Sequence, residues 1–216
     1  MFAVMFIGGG AIIVTGGENL VAIALAHGLI LAVMVSATMH ISGGQINPAV
    51  SIGLALIKKQ PWSQAVIFII AQVAGSVVAA LLLKVLLAGT FEIGNIGATL
   101  GPLTDGRDPT KTNVMAALGL EAIGTFFLMF VIMGTAVDKR GVGGSAAIGG
   151  FGIGLTLAAV ILCLGPATGA SLNPARSFGP ALVAGAWQSH WVYWIGPIVG
   201  AAIAAFVYKT VFSLEK

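Results

Sequence analysis

The stretch Ser42-Gly43-Gly44-Gln45-Ile46-Asn47-Pro48-Ala49-Val50-Ser51-Ile52-Gly53 has a second version 126 positions on, Thr168-Gly169-Ala170-Ser171-Leu172-Asn173-Pro174-Ala175-Arg176-Ser177-Phe178-Gly179. Each copy is a small-residue approach, an Asn-Pro-Ala and then an apolar run. Asn is a strong helix N-cap and Pro suits the first helical position, so each copy reads as a helix start. Asn-Pro also initiates ordinary turns, but two copies with matched flanks make coincidence a poor account.

The surrounding composition says where these helices lie. The chain has 216 residues, 58% hydrophobic and 8% charged, against about 25% charged in soluble domains. Mean hydropathy is +1.04, and the 31 glycines suit close helix packing in lipid. An all-α integral membrane protein is expected. The net charge of +3 sits in loops and speaks for orientation, not for nucleic-acid binding. With Cys163 as the single cysteine, no intrachain disulfide and no cysteine metal site are possible. No nucleophile arrangement, metal cluster or phosphate loop points to an enzyme, and no cofactor is expected. Met1 to Val14 lacks a basic n-region and a clear cleavage site, so it reads as part of a span and not as a signal peptide.

The spans expected are Met1–Val14, Leu20–Ile41, Trp62 to about Ala88, Val114–Val137, Gly144–Leu164 and Trp191–Phe212. A spanning helix needs about 20 residues, so the first is short. Moving the start at Val114 back by the repeat offset lands before Met1, and the first span reads as truncated. After Pro48 only a short apolar run precedes Lys58-Lys59, too short to cross, so Ser42–Leu56 reads as a re-entrant half-helix. Gly165–Leu182 is its counterpart. The expected architecture is thus six transmembrane helices plus two re-entrant half-helices, in two inverted repeats. Residues 1–88 form the first, 89–113 an extracytoplasmic connection, and 114–216 the second. Lys58, Lys59, Lys139, Arg140, Lys209 and Lys216 fall on one side, Arg107 and Lys111 on the other, which predicts both termini in the cytoplasm.

Half-helices entering from opposite faces bring two N-termini together near the bilayer centre. Each end carries about half a positive charge, and together they repel cations. Asn47 and Asn173 each supply an amide donor there. A water oxygen accepting from both turns its hydrogens away, which breaks a proton wire. The approaches Gly43-Gly44-Gln45 and Gly169-Ala170-Ser171 are expected to be extended and to line a cavity with their carbonyls. Arg176, one turn beyond Asn173, faces the pore or is buried against carbonyls to pin the loop; both roles are compatible. Glu121 is the only carboxylate inside a span and is expected to anchor an irregular loop by accepting its N–H groups; no second carboxylate supports proton carriage. His40, at the inner end of its helix, is expected to pack against the first loop. His27 reads equally as a packed core residue or a pore-lining one.

These residues resemble the aquaporin (major intrinsic protein) family. The likeness covers essentially the whole chain, with His40-Ile41-Ser42-Gly43-Gly44, both Asn-Pro-Ala copies and Trp191-Val192-Tyr193-Trp194-Ile195-Gly196-Pro197 as its specific parts. The resemblance implies passive conduction of water, exclusion of protons and ions, no cofactor, and a homotetramer with one pore per subunit in the cell (plasma or inner) membrane. It places an outer selectivity filter on His27, Ile161, Ala170 and Arg176, similar to the plant tonoplast subfamily. Ser177 after Arg176, Ala181 and the Tyr193-Trp194 pair favour the water branch over glycerol channels. Ile161 and Ala170, both apolar, keep open a channel for another small neutral solute: ammonia, hydrogen peroxide, urea or glycerol. A structural membrane protein with a closed pore is the remaining alternative. Two positions depart from the family. The first-helix partner of Glu121 would lie before Met1, and Gln45 stands where a His is common.

Overall fold

The computed structural model describes residues 1–91, 95–105, 110–141 and 146–212. Expectations that rest on Arg107, on Lys216 or on a fifth span starting at Gly144 lie outside these residues. The described elements are helical: α1 (Phe2–Val14), α2 (Leu20–Ser42), α3 (Pro48–Leu56), α4 (Trp62–Leu87), the short α5 (Pro102–Asp105), α6 (Val114–Ile132), α7 (Ala146–Thr168), α8 (Pro174–Ala184) and α9 (Val192–Val211). Five of them, α2, α4, α6 with its continuation, α7 and α9, are long and apolar enough to cross a membrane; α1 is a shorter apolar helix of 13 residues. At about 1.5 Å per residue, α3 and α8 reach roughly 13 and 16 Å. End to end they match the roughly 30 Å hydrocarbon thickness.

The caps follow from the local sequence. Asn19 and Asn113 cap α2 and α6 by accepting from Ala22 and Ala116, each at 3.0 Å. Gly43 and Gly185, both left-handed, end α2 and α8. Packing repeats across the two halves: α1 lies against α2 and α4, as α6 lies against α7 and α9, and α3 on α9 mirrors α8 on α4. The mirror centre is the contact of α2 with α7. There a Cβ on Gly28 would stand 2.6 Å from the carbonyl oxygen of Gly154, and one on Gly154 would strike that of Gly28. These residues are themselves 126 positions apart, so two small residues let the helices touch backbone to backbone, as packing in lipid favours.

One boundary differs from expectation. α7 runs past Leu164 to Thr168, with Pro166 inside it. Gly169 N–H still bonds the Gly165 carbonyl at 2.9 Å, so the last turn survives the donor that Pro lacks. Beyond α6, Met133–Val137 widens into a π-helical turn, closed by Asp138 N–H on the Met133 carbonyl at 2.8 Å. The tight turn expected at Asp138–Gly141 follows it, with Gly141 N–H on the Asp138 carbonyl.

Candidate functional site

Asn47 and Asn173 lead α3 and α8 from extended backbone, with φ of −155° and −154°. Each Oδ1 caps its own helix. Asn47 accepts from Ala49 N–H at 2.9 Å; Asn173 accepts from Ala175 and Arg176 N–H at 3.1 and 3.3 Å. Pro48 and Pro174 occupy the first helical positions, and Ala49 and Ala175 are wholly buried. With Oδ1 assigned, each Nδ2 reaches across to the other loop. Asn47 donates to the Leu172 carbonyl at 2.8 Å and Asn173 to that of Ile46 at 3.0 Å. Asn173 Nδ2 also lies 3.5 Å from the weak acceptor Met1 Sδ. An amide nitrogen carries two hydrogens, so each keeps donor capacity beyond the crossing bond, and both side chains line one cavity of about 300 Å³.

The approaches are non-helical but not extended throughout. Gly43, Gly44 and Ile46 have positive φ, and so do Gly169, Ala170 and Leu172, the same places in the repeat. For β-branched Ile46 this is strained backbone, held because its carbonyl is an acceptor of the crossing bond. Gly43, Gly44, Gln45, Ala170 and Ser171 line the cavity. Gly169 does not: a Cβ there would meet the Thr99 and Leu100 backbone at 3.1 Å.

The two approaches are held by different chemistry. Glu121, fully buried, accepts from Ser171 N–H at 3.0 Å, Leu172 N–H at 2.8 Å and Thr168 Oγ1 at 2.7 Å. Around the first approach, Gln45 Oε1 accepts from Ser51 Oγ at 2.6 Å, Gln45 Nε2 donates to Gln60 Oε1 at 2.6 Å, and Gln60 Nε2 donates to the Ser51 carbonyl at 2.6 Å. The Gln45–Ser51 pair has its repeat mate in Ser171 and Ser177, whose hydroxyls meet at 2.5 Å. His40 does not share in this. It is exposed at the end of α2, and no hydrogen bond joins it to the loop among the described residues. The loop's own glutamine does the fastening instead.

His27 and Arg176 meet at one end of the cavity. His27 Nδ1 lies 2.9 Å from the Ile23 carbonyl, which requires a proton on Nδ1. Nε2 then accepts from Arg176 Nη2 at 3.3 Å. Arg176 Nη1 donates to the Gly97 carbonyl at 2.7 Å, while Nε is buried with no protein partner. Ile161 and Ala170 complete this part of the wall. Nothing in the sequence pointed to Gly97. Residues 97–99 pack against this end of the cavity, where Thr99 Oγ1 pairs with Ser177 Oγ at 2.5 Å. Also missed was the apolar wall of Leu31 and Val35 on α2 and Ile153 and Leu157 on α7. The signal was present: His27, Leu31, Val35 and Ile153, Leu157, Ile161 are two three-residue ladders with steps of four, at the repeat offset.

The cavity therefore has a ladder of backbone on one side, apolar side chains on the other, two amides at the helix junction and one buried cation at an end. Comparison with known proteins agrees with this architecture. A family model described as "Major intrinsic protein" matches residues 1–208. "Aquaporin TIP4-4" of Zea mays is 44% identical over 213 residues, covering 96% of this chain and 77% of the relative. "Aquaporin NIP1-1" of Zea mays is 39% identical, covering 97% of this chain and 71% of the relative. Among solved structures, the aquaglyceroporin from Plasmodium falciparum superposes with a TM-score of 0.80 at 25% identity, over 98% of this chain and 92% of that one.

Proposed function

Because this chain belongs to the major intrinsic protein family, we propose that it conducts water passively along the osmotic gradient while excluding protons and ions. The observation that carries this reading is the reciprocal Asn47–Leu172 and Asn173–Ile46 pairing on the wall of one cavity. Both amides are locked by their own helix caps and by the opposite loop. A water arriving there meets fixed donors and the positive ends of α3 and α8. Its oxygen is held by the amides and its hydrogens point outward, so the neighbouring waters cannot relay a proton through it. Asn47, Pro48, Ala49 and Asn173, Pro174, Ala175 are the central motif of this reading. The Gly43–Gln45, Ala170 and Ser171 carbonyls are its acceptor ladder, and Glu121 is its anchor.

His27, Ile161, Ala170 and Arg176 form the outer filter of this proposal. No acid side chain forms an ion pair with Arg176 among the described residues, and its guanidinium lines the cavity, where a fixed positive charge opposes cations. Two inverted repeats, 1–88 and 114–216 joined by 89–113, are part of the proposal, supported by the mirrored packing. So is a homotetramer. Lys209 Nζ on the Ile57 carbonyl at 3.2 Å, and Arg140 on that of Phe212, support gathering the cationic loops on the cytoplasmic face. The chain is a multi-pass integral membrane protein; relatives bearing the TIP name lend no support to the cell membrane as its address.

One observation favours a second cargo. Ile161 and Ala170, beside Arg176, give that part of the wall no polar side chain, which suits a small neutral solute such as ammonia, hydrogen peroxide, urea or glycerol. Purified protein in liposomes, challenged with an impermeant osmolyte and then with each solute, separates the readings. Fast shrinkage with slow solute entry is expected. Fast entry of one solute supports the second cargo, and no acceleration over empty liposomes indicates a closed pore.

A further inference from the structure

α1 contributes no side chain to the proposed outer filter, yet it sets where the imidazole of His27 can stand. Gly8 is buried in α1 directly beneath that ring. A Cβ built on Gly8 would meet His27 Cδ2, Nε2 and Cε1 at closest separations of 2.4 to 2.7 Å, closer than any real methyl tolerates. The ring cannot yield without loss, because Nδ1 is tied to the Ile23 carbonyl and Nε2 to Arg176. Gly8 does not line the cavity, whereas His27 does. A ring pushed off Gly8 therefore moves away from α1 and towards the lumen.

We propose that Gly8 is a positioning residue for selectivity: by lacking a side chain it lets His27 lie back against α1, and so sets how far the His27–Arg176 pair projects into the lumen. The inference rests on the filter reading above and adds a determinant that never touches the permeant. Small-to-large changes in a well-packed site are felt as shifts of the neighbours, and here the neighbour is a pore wall.

A double-mutant cycle tests it in proteoliposomes, with osmotic shrinkage and urea uptake as readouts: wild type, Gly8→Ala, His27→Ala and the pair. Gly8→Ala is expected to slow shrinkage several-fold in the wild-type background. On the His27→Ala background, where no ring is left to displace, it is expected to change nothing. Equal slowing in both backgrounds would place the effect in helix packing and overturn the proposal; so would wild-type flux in Gly8→Ala. If Gly8→Ala alone does not fold, the pair is expected to restore a monodisperse protein, and failure of the pair overturns the proposal as well. The filter reading fails separately, through a His27→Ala single variant whose urea uptake equals that of wild type.

Discussion

Arg176 Nη2 stands 3.3 Å from His27 Nε2, and the residues at the repeat offset from these two, Val50 and Ile153, are apolar and line the same cavity. Two halves alike in backbone and packing therefore differ in charge. One end of the cavity carries a fixed cation with a neutral imidazole acceptor, and the other end carries two aliphatic side chains at the corresponding places. In the proposed channel, selectivity by charge and hydrogen bonding is concentrated at the Arg176 end, and the junction of α3 and α8 is left to control proton relay.

Replacing Arg176 by Val gives it the side chain of its repeat mate. The change removes a fixed cation and most of its side-chain bulk from this end of the cavity, and each 1.36 kcal/mol taken off a solute's barrier is about tenfold in rate. Urea and glycerol entry should rise by about tenfold or more, with a smaller change in water flux. Stopped-flow light scattering on proteoliposomes measures both. An unchanged solute profile would remove Arg176 from the filter.

Glu121→Gln keeps the size of the side chain but replaces one acceptor oxygen with a donor. One of Thr168 Oγ1, Ser171 N–H or Leu172 N–H then faces an NH₂ in a fully buried place. The cost of such an unmet group is about 1–3 kcal/mol. A lower thermal midpoint in detergent and reduced water flux are expected together. A variant as stable and as fast as wild type would mean that the Leu172 loop holds its own shape.

Arg140 bonds Asp138 through N–H, Nε and Nη2 at 2.8–3.0 Å, which holds that carboxyl well below the usual carboxylate range. A carboxyl depressed on folding stabilises the protein above its unfolded value, about 3.9, and that stabilisation fades as pH falls towards the folded value. Asp138→Asn should therefore lower the thermal midpoint at pH 7 and lower it less at pH 3. A deficit that does not change between these pH values would show that the carboxylate charge is not what matters at this turn.

Cys163 is exposed on α7 and does not line the cavity, whereas Ala170 does. A mercurial should leave water flux of the wild-type channel unchanged. Ala170→Cys should make it sensitive, with recovery on adding a thiol. Inhibition of the wild type that Cys163→Ser abolishes would place that thiol on the water path after all.

What could be read ahead of the structure was local chemistry repeated at a fixed offset. Asn-Pro-Ala is a helix start wherever it falls, and a half-helix follows from the distance to Lys58-Lys59. A lone carboxylate in an apolar span needs donors, which directed attention from Glu121 to an irregular loop. Contacts made by main chain left no trace. Gly97 meets Arg176 through a carbonyl, which every residue has, and across 79 positions. The end of α7 was misjudged because Gly165-Pro166 reads as a stop, while a final turn can lose one donor and persist. His40 was assigned by position alone, whereas the glutamine beside the motif carried the actual fastening. Gly8 was legible only as one glycine among many until the His27 ring was seen against it.

The central claim is that locked amides at the α3–α8 junction pass water and stop protons. Vesicles holding the protein and a trapped pH-sensitive dye test it, under an imposed proton gradient with the membrane potential clamped. Proton entry equal to that of protein-free vesicles is expected, at protein densities where osmotic shrinkage is many times faster. Proton entry that rises in step with water flux as more protein is added would contradict it.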